Sequence, residues 1–147
     1  MSISVDKKLN GLVNYLVHKY PGQLLTRTKL VKLAFLADAM AQDELGSKIS
    51  RTNYINYHYG PYSDDVIEAA ERLDDNSIRE KIGQASMGEF YDYRPKGDLP
   101  ESELSDEEKR LIEYILTEYG EMDTEDLVDR VYEKFDIPDK PKYSTLL

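Results

Sequence analysis

The side chains able to support acid–base or nucleophilic chemistry are few and badly spaced for it. His18 and His58 are the two imidazoles in 147 residues, and there is no cysteine. Each histidine offers one base with no nucleophile at a recognisable spacing. His18 lies off the apolar stripe of its segment and reads as a boundary or solvated residue. His58 sits in a tyrosine-rich run and reads as a hydrogen-bonding group in a packed corner. Carboxylates are abundant, but the neighbouring pairs Asp64-Asp65 and Glu125-Asp126 point to different sides of a helix. They cannot act together as a glycosidase dyad and read instead as helix first turns. No phosphate loop, dinucleotide fingerprint or HExxH motif is present. Without cysteine there is no thiolate zinc site. These features predict no catalytic residue, no metal and no cofactor, and hence a protein that is not an enzyme.

Tyrosine is the unusual residue, with 12 copies against 3 phenylalanines and no tryptophan. Tyr54, Tyr57, Tyr59 and Tyr62 crowd a Gly60-Pro61 corner, and Tyr91 and Tyr93 follow downstream. A ring that pairs apolar area with a polar tip suits either a half-buried corner or a protein-binding surface. On the second reading, Tyr57, Tyr59, Tyr62, Tyr91 and Tyr93 are the candidate partner-binding residues. Arg27, Lys29 and Lys32 open a strongly apolar segment and are able to touch phosphate, although Arg27 and Lys29 read more simply as a solvated helix start.

The net charge of −10 hides a division. Residues 1–60 carry 8 Lys/Arg against 4 Asp/Glu, a balance of +4, and the remainder carries 11 against 25, a balance of −14. An acidic half either keeps a small protein in solution or meets a basic partner, where complementary charge raises on-rate and specificity. Broad nucleic-acid binding is disfavoured, because neutralising phosphates with Lys and Arg supplies most non-specific affinity.

Helices must position these groups. Leu9, Leu12, Val13, Leu16, Val17 and Tyr20 recur on one helical face, which predicts a first helix from Ser4 or Asp6 to about Tyr20, stopped by Pro21-Gly22. Thr26 is placed to cap a second helix to Met40. From Leu30 to Met40 only Lys32 and Asp38 are charged, so this helix must be covered on nearly every side and becomes the expected centre of the core. Lys32 and Asp38 are six residues apart, outside i, i+4 pairing, so each needs its own exit or partner.

Residues 49–59 read as a short helical turn followed by extended chain, and Gly60-Pro61 as a break. Ser63 then caps a third helix burying Val66, Ile67, Ala70 and Leu73. Residues 78–85 and 89–94 read as a small β-hairpin. Ser105 with Glu108 forms a capping box for a helix displaying Leu111, Ile112, Ile115, Leu116 and Tyr119, ended by Gly120. Asp123 or Thr124 caps a last helix through Leu127, Val128, Val131, Tyr132 and Phe135. The expected fold is mainly α: a compact helical domain around a central apolar helix, with a small β-hairpin before two C-terminal helices. Residues 1–135 form one domain, and 136–147, with Pro138 and Pro141, form a flexible tail. No run of roughly 18–20 apolar residues exists to span a bilayer, and the N-terminus lacks a signal-peptide pattern, so the expected compartment is the cytoplasm.

The order of these pieces resembles the Panacea domain of SocA-like antitoxins, a family also described as phage-associated proteins. The stretch Lys29-Leu30-Val31-Lys32-Leu33-Ala34-Phe35-Leu36-Ala37-Asp38 is similar to the family's KL-x-KLLY-x-A(D/H) helix. Tyr59-Gly60-Pro61-Tyr62-Ser63 is similar to its GPV corner. Leu104-Ser105-Asp106-Glu107-Glu108, Tyr119-Gly120 and Thr124-Glu125-Asp126-Leu127 look like its paired C-terminal helices. The motif positions are therefore Lys29, Leu30, Lys32, Leu33, Asp38, Gly60 and Pro61. The resemblance implies an antitoxin that neutralises a co-encoded toxin by direct binding, in one branch as an adaptor delivering it to a Clp-type protease. The competing expectation is a DNA-binding regulator with a winged-helix-like N-terminal half acting on its own operon. Against it, the helix that would read DNA is too apolar to leave a core.

Overall fold

The computed structural model describes residues 6–57, 60–85, 88–135 and 144–147. Helix α1, Lys7–Lys19, starts where Asp6 accepts a hydrogen bond from the Leu9 amide (3.0 Å) and buries the stripe Leu9, Leu12, Val13, Leu16 and Val17. Helix α2, Arg27–Leu45, is capped by Thr26, whose Oγ1 accepts from the Lys29 amide at 3.2 Å. It continues five residues past Met40, because Gln42, Asp43 and Glu44 extend a helix on an exposed face as readily as they form a loop. The stop is Gly46, at φ 91°, the left-handed conformation glycine adopts at least cost.

The segment after Gly46 forms no helical turn. It leads into strand β1, Ile55–Tyr57, paired antiparallel with β2, Gly60–Tyr62, through Ile55 opposite Tyr62 and Tyr57 opposite Gly60. Gly60-Pro61, expected as a break, is thus a strand. Pro61 lacks an N–H, which an edge strand tolerates, and β2 is an edge. The opposite edge of β1 takes the C-terminus: the Tyr54 and Asn56 amides donate to the Leu147 and Ser144 carbonyls, and the Leu146 amide donates to Tyr54. Of the stretch expected as a tail, 136–143 lie outside the described residues and 144–147 carry this pairing.

Helix α3, Asp64–Leu73, buries Val66, Ile67, Ala69 and Ala70, with Leu73 half-buried. Ser63 precedes it without making the side-chain cap. Its Oγ lies 2.6 Å from Thr52 Oγ1, which is also 2.8 Å from Asp65 Oδ2, so the hydroxyl joins the 49–54 segment to the start of α3 instead. Strands β3, Ile78–Ala85, and β4, Gly88–Pro95, form the expected hairpin with Ile78 opposite Pro95 and Ile82 opposite Tyr91. Its base is anchored by buried Ile78 and Tyr93 and by two bonds between Leu25 and β4 (Tyr93 N to Leu25 O, 2.9 Å; Leu25 N to Asp92 Oδ1, 3.1 Å). Helix α4, Asp106–Tyr119, carries the reciprocal Ser105–Glu108 capping box, and Lys8 pairs with Glu108 at 2.9 Å. In α5, Thr124–Phe135, Asp123 accepts from the Asp126 amide at 2.8 Å.

Among the described residues the architecture is five helices and two small antiparallel hairpins. Every residue of α2 from Lys29 to Ala41 is buried, against α1, α3, α4, α5, β2 and β4. Asp38 is 0% exposed. Its carboxylate accepts three bonds: from the Ser50 amide (2.8 Å), the Ser50 hydroxyl (2.6 Å) and the Tyr54 hydroxyl (2.8 Å). Burial pushes its pKa up and these donors pull it back. The Tyr54 ring also packs edge-on against Phe35 at 5.2 Å. Asp38 therefore fixes residues 49–54 onto α2. Asp38→Ala removes the acceptor and strands three buried donors, so it should lower unfolding free energy by about 3 kcal/mol. Urea denaturation measures this, and a loss below about 1 kcal/mol would mean that the network is not holding the segment.

Candidate functional site

The first two turns of α2 face the β1–β2 corner on one side and the β3–β4 hairpin on the other. Arg27 is the junction with the hairpin. Its guanidinium carbon lies 3.6 Å from the Tyr91 ring centroid, and Nε donates to the Tyr93 hydroxyl at 2.9 Å. One terminal nitrogen reaches Glu71 Oε1 (3.0 Å) and Glu80 Oε2 (3.4 Å). Arg27 is thus not a solvated helix start: stacking and charge-assisted bonds tie it to α3, β3 and β4. Lys29 departs from that reading too, being buried with Nζ donating to the Tyr20 hydroxyl at 2.7 Å.

Lys32 is 2% exposed. Its Nζ donates to the Pro61 carbonyl at 2.8 Å, and among the described residues no carboxylate lies within 4 Å of it. Burial without a counter-charge lowers its pKa to about 8. Gly60, at φ 93°, lets the corner close over this side chain: a Cβ there would lie 3.6 Å from Lys32 Cε and 3.5 Å from the Tyr132 ring.

The sequence-derived tyrosines divide. Tyr57 (37% exposed) and half-buried Tyr62 face each other across β1–β2, ring centroids 5.2 Å apart and tilted by 32°. Burial and then the Asp64 carboxylate raise the Tyr62 pKa. Tyr91 is half-buried under Arg27. Tyr93, at 2% exposure, has its phenol pushed up in pKa by burial and offers no surface to a partner. Tyr59 and His58 lie outside the described residues. His18 is half-buried, its Nε2 2.7 Å from the Ser77 carbonyl, as a boundary residue should be. Tyr57 and Tyr62 form a ridge between two recesses. A cavity of about 220 Å³ is lined by Arg27, Val31, Lys32, Tyr57, Gly60 and Ile67, among others, and a cleft of about 420 Å³ on the other side carries Asp64 and Asp65. The roles of Val31, Gly60 and Ile67 as cavity walls left no periodic signal. Lys32 did leave one, as a cation inside an apolar run.

The family model described as "Antitoxin SocA-like, Panacea domain" matches residues 30–135. The chain belongs to this family. Comparisons with curated proteins and with solved structures gave no match. In this Panacea domain the positions singled out by sequence have separable physical jobs. Leu30 and Leu33 are fully buried core, Lys29 holds Tyr20, Asp38 holds the 49–54 segment, and Lys32 with Gly60 and Pro61 closes the corner. Among the described residues no helix is long and apolar enough to cross a membrane.

Two measurements test this geometry. The folded-state pKa of Lys32, about 8 against an ordinary 10.5, means the folded protein binds fewer protons than the unfolded chain between those values. Stability attributable to Lys32 therefore rises with pH across that window. The gap corresponds to on the order of 3 kcal/mol. Relative to Lys32→Met, the wild type should gain about 2–3 kcal/mol between pH 7 and pH 10.5, and a pH-independent difference would contradict a buried, uncompensated ammonium. Gly60→Ala meets neighbours only at ordinary contact distance, so its cost is the left-handed backbone. Thermal unfolding should show a loss of about 1–2 kcal/mol, and an unchanged midpoint would remove the conformational requirement.

Proposed function

We propose that this Panacea domain is an antitoxin that neutralises a cognate toxin by binding it directly. The match to the SocA-like antitoxin family over residues 30–135 carries the reading. Neutralisation asks for an interface, typically about 1,200–2,000 Å² in total, with a few aromatic or arginine anchors supplying most of the energy. Tyr57 and Tyr62 supply such anchors beside the α2 start, with Tyr91 stacked on Arg27 next to them. Tyr59, in the same corner, belongs to the proposed surface by its sequence position. A basic toxin suits the −14 balance beyond Gly60. Delivery to a Clp-type protease is the further role we assign by family resemblance, with residues 1–135 as the working domain and the cytoplasm as its compartment. The DNA-reading alternative would use α2, but its residues 29–41 are buried.

The test is to recover the tagged protein from its host, identify a small co-purifying protein encoded beside it, and measure its affinity. The Tyr57→Ala/Tyr62→Ala double variant should weaken that complex by tenfold or more, about 1.4 kcal/mol or greater, with circular dichroism unchanged. Undiminished affinity in a folded double variant would sink the proposed surface.

A further inference from the structure

The cavity lined by Tyr57 meets a buried charge that has no counter-charge among the described residues. Lys32 is buried, lines the cavity and spends one of its three ammonium donors on the Pro61 carbonyl. A neutral donor would hold that carbonyl without desolvating a cation, so the clamp alone does not account for a lysine. Neighbouring cations have their partners. Arg27 is shared between Glu71 and Glu80, and Lys29 turns away to Tyr20. Lys32 lines a recess of about 220 Å³ whose other walls include Val31, Ile67, Tyr57 and Tyr62. The recess also abuts the first turn of α2 at Arg27 and Thr28, the positive end of the helix dipole.

We propose that this cavity is a binding site for a carboxylate carried on a short apolar stem, seated with the carboxylate on Lys32 and the stem between Val31, Ile67 and the Tyr57–Tyr62 pair. The volume admits one side chain or a small aromatic acid. One cation without a carboxylate partner among the described residues matches a single negative charge, whereas a phosphate dianion calls for free arginines, and the Arg27 lining this recess is paired with Glu71 and Glu80. Binding would supply Lys32 with the counter-charge that the described residues do not give it and would raise its pKa from about 8. The carboxylate can come from a free acid or from the C-terminus of a protein partner, and the site does not depend on that partner being a toxin.

The test is titration of the wild-type protein, followed by NMR of the Tyr57 and Tyr62 rings, with phenylacetate and with the peptide Ac-Gly-Gly-Phe as free acid, each compared with its amide. At least one acid should bind about tenfold or more tightly than its amide, as charge-assisted bonds require, and Lys32→Met should lose that preference. Binding by both acids points to a small-molecule source, and binding by the peptide alone to a chain terminus. Equal binding of acid and amide would overturn the proposal, as would no binding of either acid at millimolar concentration. Should Lys32→Met not fold, or lose hydrogen-exchange protection at the corner, the acid-against-amide comparison on the wild type decides alone.

Discussion

The hydrogen bond from the Lys32 ammonium to the Pro61 carbonyl, 2.8 Å long and almost wholly out of solvent, joins the long helix to the strand pair that builds the tyrosine ridge. Its donor comes from a helix whose residues 29–41 are all buried, and its acceptor from a strand that proline leaves short of an N–H. Burying a lysine without a carboxylate is unfavourable, and the structure accepts that cost at this one place on the corner. Gly60 makes the arrangement possible, because its left-handed backbone brings Pro61 over the side chain. The positions of Tyr57, Tyr62 and the cavity between them and α2 follow from that closure.

The buried acidic charge of α2 works in the opposite sense. Asp38 accepts three bonds and so fixes the segment leading into β1, while Lys32 donates to the strand that follows. One helix thus grips both sides of the corner through groups of opposite sign, too far apart on the helix to neutralise each other. The three-donor network on Asp38 favours one arrangement over many, because any shift strands a buried polar group. The C-terminal residues 144–147 add a third restraint by pairing with residues 54–56, so the corner is gripped from α2, from the 49–54 segment and from the chain end.

The helices were legible because their signals are local. Asp6, Thr26 and the Ser105–Glu108 box each cap as their spacing predicts, and the stripes of α1 and α4 bury all but their last expected residues, Tyr20 and Tyr119, whereas in α5 Leu127 and Val131 are buried and Val128, Tyr132 and Phe135 half-buried. The β3–β4 hairpin was legible from alternation. The β1–β2 pair was not, because three-residue strands carry too little pattern, and Gly60-Pro61 reads as a break unless an edge strand is available to use it. The stop of α2 was also displaced, since Gln42 to Leu45 suit helix and loop alike and Gly46 alone decides. Charges at the α2 start misled for a different reason. Arg27 and Lys29 resemble an exposed first turn, and only long-range partners, Tyr91, Tyr93 and Tyr20, show otherwise. Likewise Tyr57 and Tyr93 look equivalent in sequence, although one lies at the surface and the other in the core.

The proposed anchors, Tyr57 and Tyr62, are thus placed by a buried clamp and not by the strands' own stability, since an isolated two-stranded pair is marginal in water. Native-state hydrogen exchange on the wild type and Lys32→Met tests this dependence directly. Amides of Ile55–Tyr57, Gly60 and Tyr62 should lose protection selectively in the variant while those of α1 and α4 keep theirs. Equal protection of the corner amides in the two proteins, or a uniform loss across all helices, would contradict the claim that Lys32 holds the corner in place.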